Sequence, residues 1–182
     1  MKKGLAVVMA VLFLAMGSVA FAYDFEAKNN VLGPHNAYHK QIKIEADSTF
    51  AMGLGPENLI DGDYNTRWVS AHFNTGPKPG EEYVSWIIVE LPHAERVTAL
   101  RFHTGLSGYG AGDPNMIIHS FALEYWDGNA WQEVVVIEGN TEKVAEAVFE
   151  PVEASRWRIR VINPSRYDWS VRAYELELFR AN

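Results

Sequence analysis

The chain has 182 residues, of which 48% are hydrophobic and 21% are charged, a composition typical of a folded domain rather than a disordered segment. Its formal net charge of -7 argues against a nucleic-acid-binding protein, which would carry a clustered basic excess, and against unaided adsorption to anionic membranes. Because the sequence has no cysteine, it excludes disulfides, a thiolate nucleophile and any cysteine-ligated metal site.

Residues 1–22 have the layout of a secretory signal peptide. Two lysines precede an apolar run from Leu5 to Met16, and Ala20 and Ala22 are the small residues expected before a cleavage site. The alternative is a membrane anchor, but this run has about a dozen residues, whereas a bilayer-spanning helix needs ~20. We expect cleavage after Ala22, export to the periplasm or the exterior, and a mature chain of residues 23–182 without a transmembrane segment.

The mature chain is predicted to be all-β, because short strand-like segments alternate with turn signals. In chain order, strands are predicted over residues 41–46, 84–91, 97–104, 121–125, 131–137, 156–161 and 174–179. Pro92 and His93 predict a turn, Asp127 and Gly128 predict a tight hairpin, and one helical turn is expected to begin at Pro56. Many short strands in ~160 residues predict one β-sandwich or jelly-roll domain.

Residues 156–161 show the clearest alternation in the sequence. Trp157, Ile159 and Val161 would face one way and three arginines the other. We interpret the arginines as a solvated sheet face opposite acidic neighbours, with a stripe that binds an anionic polymer as the alternative. Four tryptophans in or beside strand patterns are expected in the core: Trp68, Trp86, Trp131 and Trp157.

Three sequence elements together resemble a known family. Asn58 to Trp68 reads NLIDGDYNTRW, a D-G-x-x-W hairpin ends at Trp131, and the last strand reads YELELF. Over residues 40–179 the chain resembles the factor 5/8 type C family, also called discoidin domains, which overlaps the family 32 carbohydrate-binding modules. The resemblance implies a galactose-binding-like jelly-roll β-sandwich, a non-catalytic binding role and a buried structural calcium ion.

The segment after Asn58 also favours calcium on its own chemistry. Asp61, Asp63, Asn65 and Thr66 place oxygen-bearing side chains around a glycine, and Ca²⁺ takes several hard oxygens at ~2.3–2.6 Å. The pattern departs from an EF-hand, and the alternative is an Asx-rich turn without metal. The ligand set that the resemblance implies comprises the Asn58 carbonyl, the Asp61 carboxylate, the Asp63 carbonyl, the Thr66 carbonyl and hydroxyl, the Tyr174 carbonyl and the Glu175 carboxylate.

Loops at the ends of such a sandwich would carry a glycan site, because sugars need an aromatic face and fixed hydrogen-bonding groups. The candidate ligand-binding residues are His72, His103, Tyr109, Arg166, Tyr167 and Trp169. Arg166 and the histidines would suit an acidic sugar such as a uronate. Sugar-binding members often have an arginine and an Asn-Gly pair after the strand over residues 97–102, and neither is reproduced here, so galactose-type specificity is not implied.

The sequence favours binding over catalysis, because it contains no G-x-S-x-G, no H-E-x-x-H and no glycine-rich phosphate loop. A glycan is the leading partner, and a separately encoded enzyme or an envelope protein is a further expected partner. The alternative is a discoidin-like protein- or envelope-interaction domain, with Leu106, Tyr109 and Met116 as apolar anchors. A concave site at Trp169 or Tyr109 would favour a sugar, whereas protruding apolar tips would favour a protein or membrane.

Overall fold

The computed structural model of the chain describes residues 23–72, 82–104, 117–164 and 169–180. In these ranges the regular structure consists of strands and single turns of 3-10 helix, which confirms the all-β prediction. The strands are β1 (Lys43–Ala46), β2 (Trp68–Val69), β3 (Ser85–His103), β4 (Ser120–Trp126), β5 (Trp131–Ile137), β6 (Val144–Asn163), β7 (Arg172–Ala173) and β8 (Glu175–Arg180). The 3-10 turns are Ala27–Asn29, His39–Gln41 and Pro56–Leu59. Within the described ranges, no helix has the length and apolarity needed to cross a bilayer.

Two long bent strands, β3 and β6, build both layers of the sandwich. They pair antiparallel along their lengths, with one long interruption of the register between Glu90 and Glu95 and a second shift between Val97 and Ala99. Before this interruption β3 also pairs with β1, and the neighbouring part of β6 pairs with β4, giving the order β1-β3-β6-β4-β5. After the interruption β3 pairs instead with β8, so the same two strands continue into the second layer.

The predicted turn at Pro92 and His93 is therefore wrong as a break between strands. Both residues lie inside β3, at the irregularity in its pairing with β6. Proline lacks the N–H that a regular ladder requires, but it is tolerated at a bulge, where the pairing is already interrupted. The physical effect of the Pro92 segment is to bend one strand rather than to end it.

The core lies between the two layers and is filled from alternate positions of the strands. Trp157, Ile159 and Val161 are each 1% exposed, and the arginines between them face outward, as their alternation predicts. Burial of each large apolar side chain contributes about 1.5–3 kcal/mol to the hydrophobic driving force. The core prediction is also correct for Trp68, which is fully buried.

The core prediction is wrong for Trp86 and Trp131, which are only partly buried. Trp86 lies between the buried Ser85 and Ile87, so its side chain belongs to the outer face of β3. Trp131 contacts two arginines of the same outer face, with the Arg158 guanidinium carbon 4.4 Å from its ring centroid. These tryptophans cover the outside of the larger layer and leave the core to Trp68 and Trp157.

The Asp-Gly hairpin between β4 and β5 forms as predicted. Gly128 has a φ of 99°, and Asp127 Oδ1 accepts hydrogen bonds from the backbone N–H groups of Asn129 and Ala130, both at 2.8 Å. These backbone donors lower the pKa of Asp127 because they stabilise its charged form. The turn brings Trp126 and Trp131 into an edge-to-face contact, with their ring centroids 5.5 Å apart.

Candidate functional site

The loop between the Pro56–Leu59 turn and β2 folds back on itself around Gly62. Gly62 has a φ of 78°, which favours glycine, and an added Cβ there would meet Pro34 Cγ at 3.0 Å, so Pro34 would have to shift slightly. The side chain of Asn58 donates to the carbonyl oxygens of Gly53 and Arg67, at 2.9 and 2.7 Å. These bonds fix the start and the end of the loop against each other.

The oxygens of four predicted metal ligands converge within this loop. Thr66 Oγ1 lies 2.8 Å from Asp61 Oδ2, 2.9 Å from the Asp63 carbonyl oxygen and 3.5 Å from the Asn58 carbonyl oxygen. The Asp63 carboxylate instead accepts from the backbone and side-chain amides of Asn65, both at 2.9 Å. The loop therefore directs the carbonyl of Asp63, and not its carboxylate, towards Thr66.

Glu175 reaches the same loop from the beginning of β8. Its Oε1 accepts from Gly62 N at 3.2 Å, its Oε2 is buried without a hydrogen-bond partner, and the residue is 1% exposed. Burial, with a contribution from the Asp61 charge, raises the pKa of Glu175 to about 8, although the Gly62 N–H opposes the shift. Tyr174 is held beside it by its N–H to the His103 carbonyl, at 2.8 Å.

The chemistry of this cluster fits a calcium ion better than a transition metal. The described residues include no group of three or more His, Cys, Asp or Glu side chains placed to hold a metal, so a cation of any kind would also need carbonyl and hydroxyl ligands. The loop instead combines carboxylate oxygens with carbonyl and hydroxyl oxygens, which are the hard donors that Ca²⁺ takes. The partnerless Oε2 of Glu175 is a buried acceptor that a cation would satisfy.

His103, a predicted ligand-binding residue, lies beside the Asn58–Trp68 loop. Its Nε2 is 3.1 Å from Glu177 Oε2, and its ring centroid is 4.7 Å from that of Tyr64 in the loop. Arg101 approaches the same glutamate, which is 3% exposed. The described contacts of His103 thus join the beginning of β8, which carries Glu175, to the loop.

His72 and Trp169, far apart in the sequence, are brought together by a residue that the sequence interpretation missed. The His72 ring packs against Tyr83 with centroids 5.6 Å apart, and Tyr83 Oη donates to the Trp169 carbonyl oxygen at 2.8 Å. Trp169 is 43% exposed and has a φ of 63°, a backbone conformation that is strained for a bulky residue. We call His72, Tyr83 and Trp169 the loop-end cluster.

Asp47 fixes the inner side of the loop-end cluster. Its Oδ2 lies 2.7 Å from His72 Nε2, while its Oδ1 accepts from Ser85 Oγ at 2.7 Å and from Trp86 N at 3.0 Å. Asp47 follows β1 and Tyr83 precedes β3, and these strands pair antiparallel with Ala46 opposite Ile87. The end of β1 therefore lies beside the start of β3, which places Asp47 and Tyr83 at the same end of the sheet. This register is a long-range feature, and no local sequence signal marks either residue.

The remaining candidates, Tyr109, Arg166 and Tyr167, lie outside the described residues. So do Leu106 and Met116, the other apolar anchors of the alternative interpretation. The loop-end cluster is therefore defined by His72 and Trp169 from the predicted set and by Tyr83.

A groove of about 350 Å³ opens beside the loop-end cluster. It is lined by residues 82–86, where the chain enters β3, and by Arg158, Arg160, Val161 and Ile162 of β6. Tyr83 belongs to both the groove and the cluster, so the two features are continuous. We call this feature the sheet-face groove, since it extends onto the outer face of the larger layer.

Comparison with solved structures finds the same sandwich in carbohydrate-binding modules. The chain is similar to the family 32 carbohydrate-binding module from Streptococcus pneumoniae EndoD, with a TM-score of 0.64 and 19% identity, covering 77% of this chain and 96% of that one. The family 32 module of C. perfringens NanJ, solved with galactose, has a TM-score of 0.55 and 17% identity, covering 78% of this chain and 95% of that one. Chitosan-binding module 2 of a Paenibacillus sp. IK-5 chitosanase/glucanase, solved with chitotriose, has a TM-score of 0.57 and 14% identity, covering 75% of this chain and 95% of that one.

These TM-scores show a shared fold, the galactose-binding-like β-sandwich expected from the sequence. A comparison with curated proteins finds no match. The family model that describes the F5/8 type C domain matches residues 43–176. Because this match spans well over half of the sequence, the chain belongs to the F5/8 type C domain family.

Proposed function

We propose that this chain is an exported, non-catalytic glycan-binding domain that binds saccharide at the loop-end cluster. The observation that carries the proposal is the convergence of His72, Tyr83 and the exposed Trp169 at one end of the sandwich. An exposed indole offers an apolar face for the C–H groups of a sugar ring, and the neighbouring polar groups can bind its hydroxyls. Asp47 holds the His72 ring in place, so this part of the site is organised before a ligand arrives.

The solved relatives support a saccharide as the ligand class but differ in the sugar. One was solved with galactose, one with chitotriose and a family 32 module of AlyQ with 4,5-unsaturated mannuronic acid. Our expectation of an acidic sugar rests mainly on Arg166, because the charge of a protonated His72 would be balanced by Asp47. A panel of ligands must therefore contain both neutral and acidic sugars.

The test is calorimetric titration of residues 23–182 with galactose, chitotriose, lactose and oligomannuronate. We expect binding to at least one of them and its loss in Trp169→Ala. Trp126→Ala is the matched control, because Trp126 is also a partly exposed tryptophan but contacts Trp131 on the sheet face. Equal affinities in the wild type and Trp169→Ala would refute the location of the site, and no binding to any sugar would refute the function.

We also propose that a structural Ca²⁺ joins the Asn58–Trp68 loop to β8. The carboxylates of Asp61 and Glu175 would bind it with the carbonyls of Asn58, Asp63 and Tyr174 and with Thr66. The ion would place a positive charge next to the buried Glu175 carboxylate. Because it would bind the folded domain and not the unfolded chain, it would stabilise the fold.

The calcium proposal is tested by thermal unfolding with Ca²⁺ or with a chelator. We expect Ca²⁺ to raise the melting temperature of the wild type and of Asp63→Asn, since only the carbonyl of Asp63 is assigned to the ion. Asp61→Ala should remove the response. Identical melting of the wild type with Ca²⁺ and with chelator would contradict the proposal.

A second candidate function, a discoidin-like interaction with a protein or cell envelope, is favoured by two apolar side chains in the segment after β1. Phe50 is 52% exposed and Met52 is 102% exposed. Exposed apolar tips of this kind can insert into a lipid surface. Co-sedimentation with phosphatidylcholine vesicles tests this role: binding that is lost in Phe50→Ser/Met52→Ser would support it, and the absence of co-sedimentation would exclude a lipid surface of that composition.

A further inference from the structure

The sheet-face groove combines an aromatic side chain with guanidinium groups. Trp86 lies opposite Arg160 in the pairing of β3 with β6, and Ile88 lies opposite Arg158. Val84 and Ile162, which also line the groove, are 65% and 37% exposed. The groove therefore presents an apolar rim and an indole next to two cationic groups.

A buried glutamate holds both arginines in position. Glu124 of β4 is 5% exposed, and its Oε1 accepts from Arg160 Nε at 2.7 Å while its Oε2 accepts from Arg158 Nε at 2.5 Å. Glu133 binds Arg160 Nη2 at 3.1 Å, and Trp131 lies under the Arg158 guanidinium. Side chains fixed in this way lose little conformational entropy when a ligand binds them.

The fixed arginines still have donors to offer a ligand. A guanidinium carries five N–H groups, and in the described part of the chain Arg158 uses Nε and Nη2 on Glu124 while Arg160 uses Nε and Nη2 on two glutamates. The N–H groups of each Nη1 are not used by these bonds. Both arginines line the groove together with Trp86, so these groups are candidate donors for a ligand there.

The charges in this network select the chemistry of the ligand. Two arginines are balanced by Glu124 and Glu133, and Glu82 adds another carboxylate to the lining of the groove. An anionic ligand would gain little from such a balanced site, whereas hydroxyl groups can accept from the guanidinium donors and donate to carboxylates. The apolar faces of Trp86 and Val84 suit the C–H side of a sugar ring.

We propose that the sheet-face groove is a second saccharide subsite, which binds neutral units of a polysaccharide whose adjacent units occupy the loop-end cluster. This inference rests on the proposed glycan-binding function. Its basis is the continuity of the two features through Tyr83, and the groove volume falls at the lower end of the ~300–1,000 Å³ found for small-ligand sites. The domain would then recognise a stretch of chain and not only a terminal sugar.

The proposal is tested by affinity electrophoresis and calorimetry with three neutral polymers, laminarin, galactan and glycol chitin, and with their disaccharide and hexasaccharide fragments. The hexasaccharide should bind the wild type more tightly than the disaccharide does. Trp86→Ala should weaken hexasaccharide binding roughly threefold to tenfold and leave disaccharide binding unchanged. Val84→Glu, a change at an exposed position on the rim, should act in the same direction.

Trp126→Ala is the matched control, because Trp126 lies on the same sheet face but does not line the groove. Loss of binding in Trp169→Ala, together with weaker binding of the hexasaccharide but not of the disaccharide in Trp86→Ala, supports both sites. Loss in Trp169→Ala with no effect of Trp86→Ala overturns the groove and leaves the loop-end site standing. Retention in Trp169→Ala with loss in Trp86→Ala would place saccharide binding in the groove alone, and would overturn both the loop-end site and the groove's role as a second subsite beside it.

Two further results would also overturn the inference. No retardation by any of the three polymers would reject a neutral saccharide in the groove, and retardation by alginate alone would reject it as well. A dimer in size-exclusion chromatography that becomes a monomer in Trp86→Ala, with saccharide binding unchanged, would identify this face as a contact between copies of the chain.

Discussion

Replacing Glu124 with alanine is expected to destabilise the domain far more than replacing Glu133, although both glutamates bind Arg160. The Glu124 side chain is 7% exposed and serves two guanidinium groups, whereas the Glu133 side chain is 51% exposed and serves one. Without Glu124, Arg158 would lose this ion pair and Arg160 would keep only its pair with the more exposed Glu133. The side chains of Arg158 and Arg160 are 21% and 40% exposed, so water still solvates their charges. The loss of free energy of unfolding is therefore smaller than for fully buried arginines.

The expected loss in free energy of unfolding for Glu124→Ala is about 2–3 kcal/mol. Breaking a fully buried ion pair costs ~3–5 kcal/mol, and the partial exposure of both arginines lowers that value. For Glu133→Ala we expect no more than ~1 kcal/mol, the range of an exposed ion pair. In a domain of this size the Glu124 change corresponds to a fall in melting temperature of roughly 4–12 °C.

Urea unfolding followed by tryptophan fluorescence measures both variants under the same conditions. Equal slopes against urea concentration would show that the difference lies in the stability of the fold and not in the extent of unfolding. If the two variants lost the same free energy, or if Glu124→Ala lost less than ~0.5 kcal/mol, the two-arginine network would contribute no more than an ordinary surface pair. That result would also remove the argument that the groove arginines are held in place.

Further predictions concern backbone conformation and pH. Gly62→Ala should cost about 1–3 kcal/mol in urea unfolding, and more than Gly53→Ala, because Gly53 has a similar φ of 81° but no atom within 4 Å of an added Cβ; equal losses would contradict the close contact with Pro34. Because Trp169 has a φ of 63°, the Trp169→Gly variant should be more stable than Trp169→Ala by about 1–2 kcal/mol. Thermal unfolding that ranks Trp169→Ala above Trp169→Gly would contradict backbone strain at this position. Burial, followed by the hydrogen bond to Glu95, raises the pKa of Tyr38 from its ordinary value of 10.0 to about 12, so its contribution to stability is complete below the ordinary value and is lost as the pH rises towards 12. Tyr38→Phe should therefore lose less stability than the wild type over that pH range, and parallel pH profiles would refute this.

The sequence is sufficient to predict those parts of the fold in which local chemistry and tertiary packing agree. β5 runs from Trp131 to Ile137, the range predicted to follow the Asp-Gly turn. The Pro56–Leu59 turn and the alternation around Trp157 also follow from local signals. In these segments the local conformational preferences of the residues favour the structure that tertiary packing also requires.

The first part of β6 escapes prediction because its composition hides its alternation. Ala145 and Ala154 are buried, Val148 is 58% exposed, and Pro151 lies within the strand. Alanine and proline are both depleted in strands, so neither local propensity nor hydrophobicity marks this segment. Its pairing with β3 determines the structure instead.

The candidate site could be predicted only in part, because its members meet through long-range pairing. The predicted calcium ligands from Asn58 to Thr66 lie close together in the sequence, and their convergence follows from a local motif. Tyr83 and Asp47 require the register of β1 against β3, which a single sequence does not specify. The core prediction fails at Trp86 and Trp131 because hydrophobicity alone does not distinguish the two faces of a strand whose outer side is covered by arginines.

The continuous strands β3 and β6 also determine how the domain can unfold. Each strand belongs to both layers, and the two pair with one another on either side of the bend. A sandwich built from separate strands has a seam along which one layer can detach, but here detachment would require both of the longest strands to break in their middle. We therefore expect hydrogen exchange of the most protected amides in the two layers to report one global opening, with the same free energy on both sides of the bend.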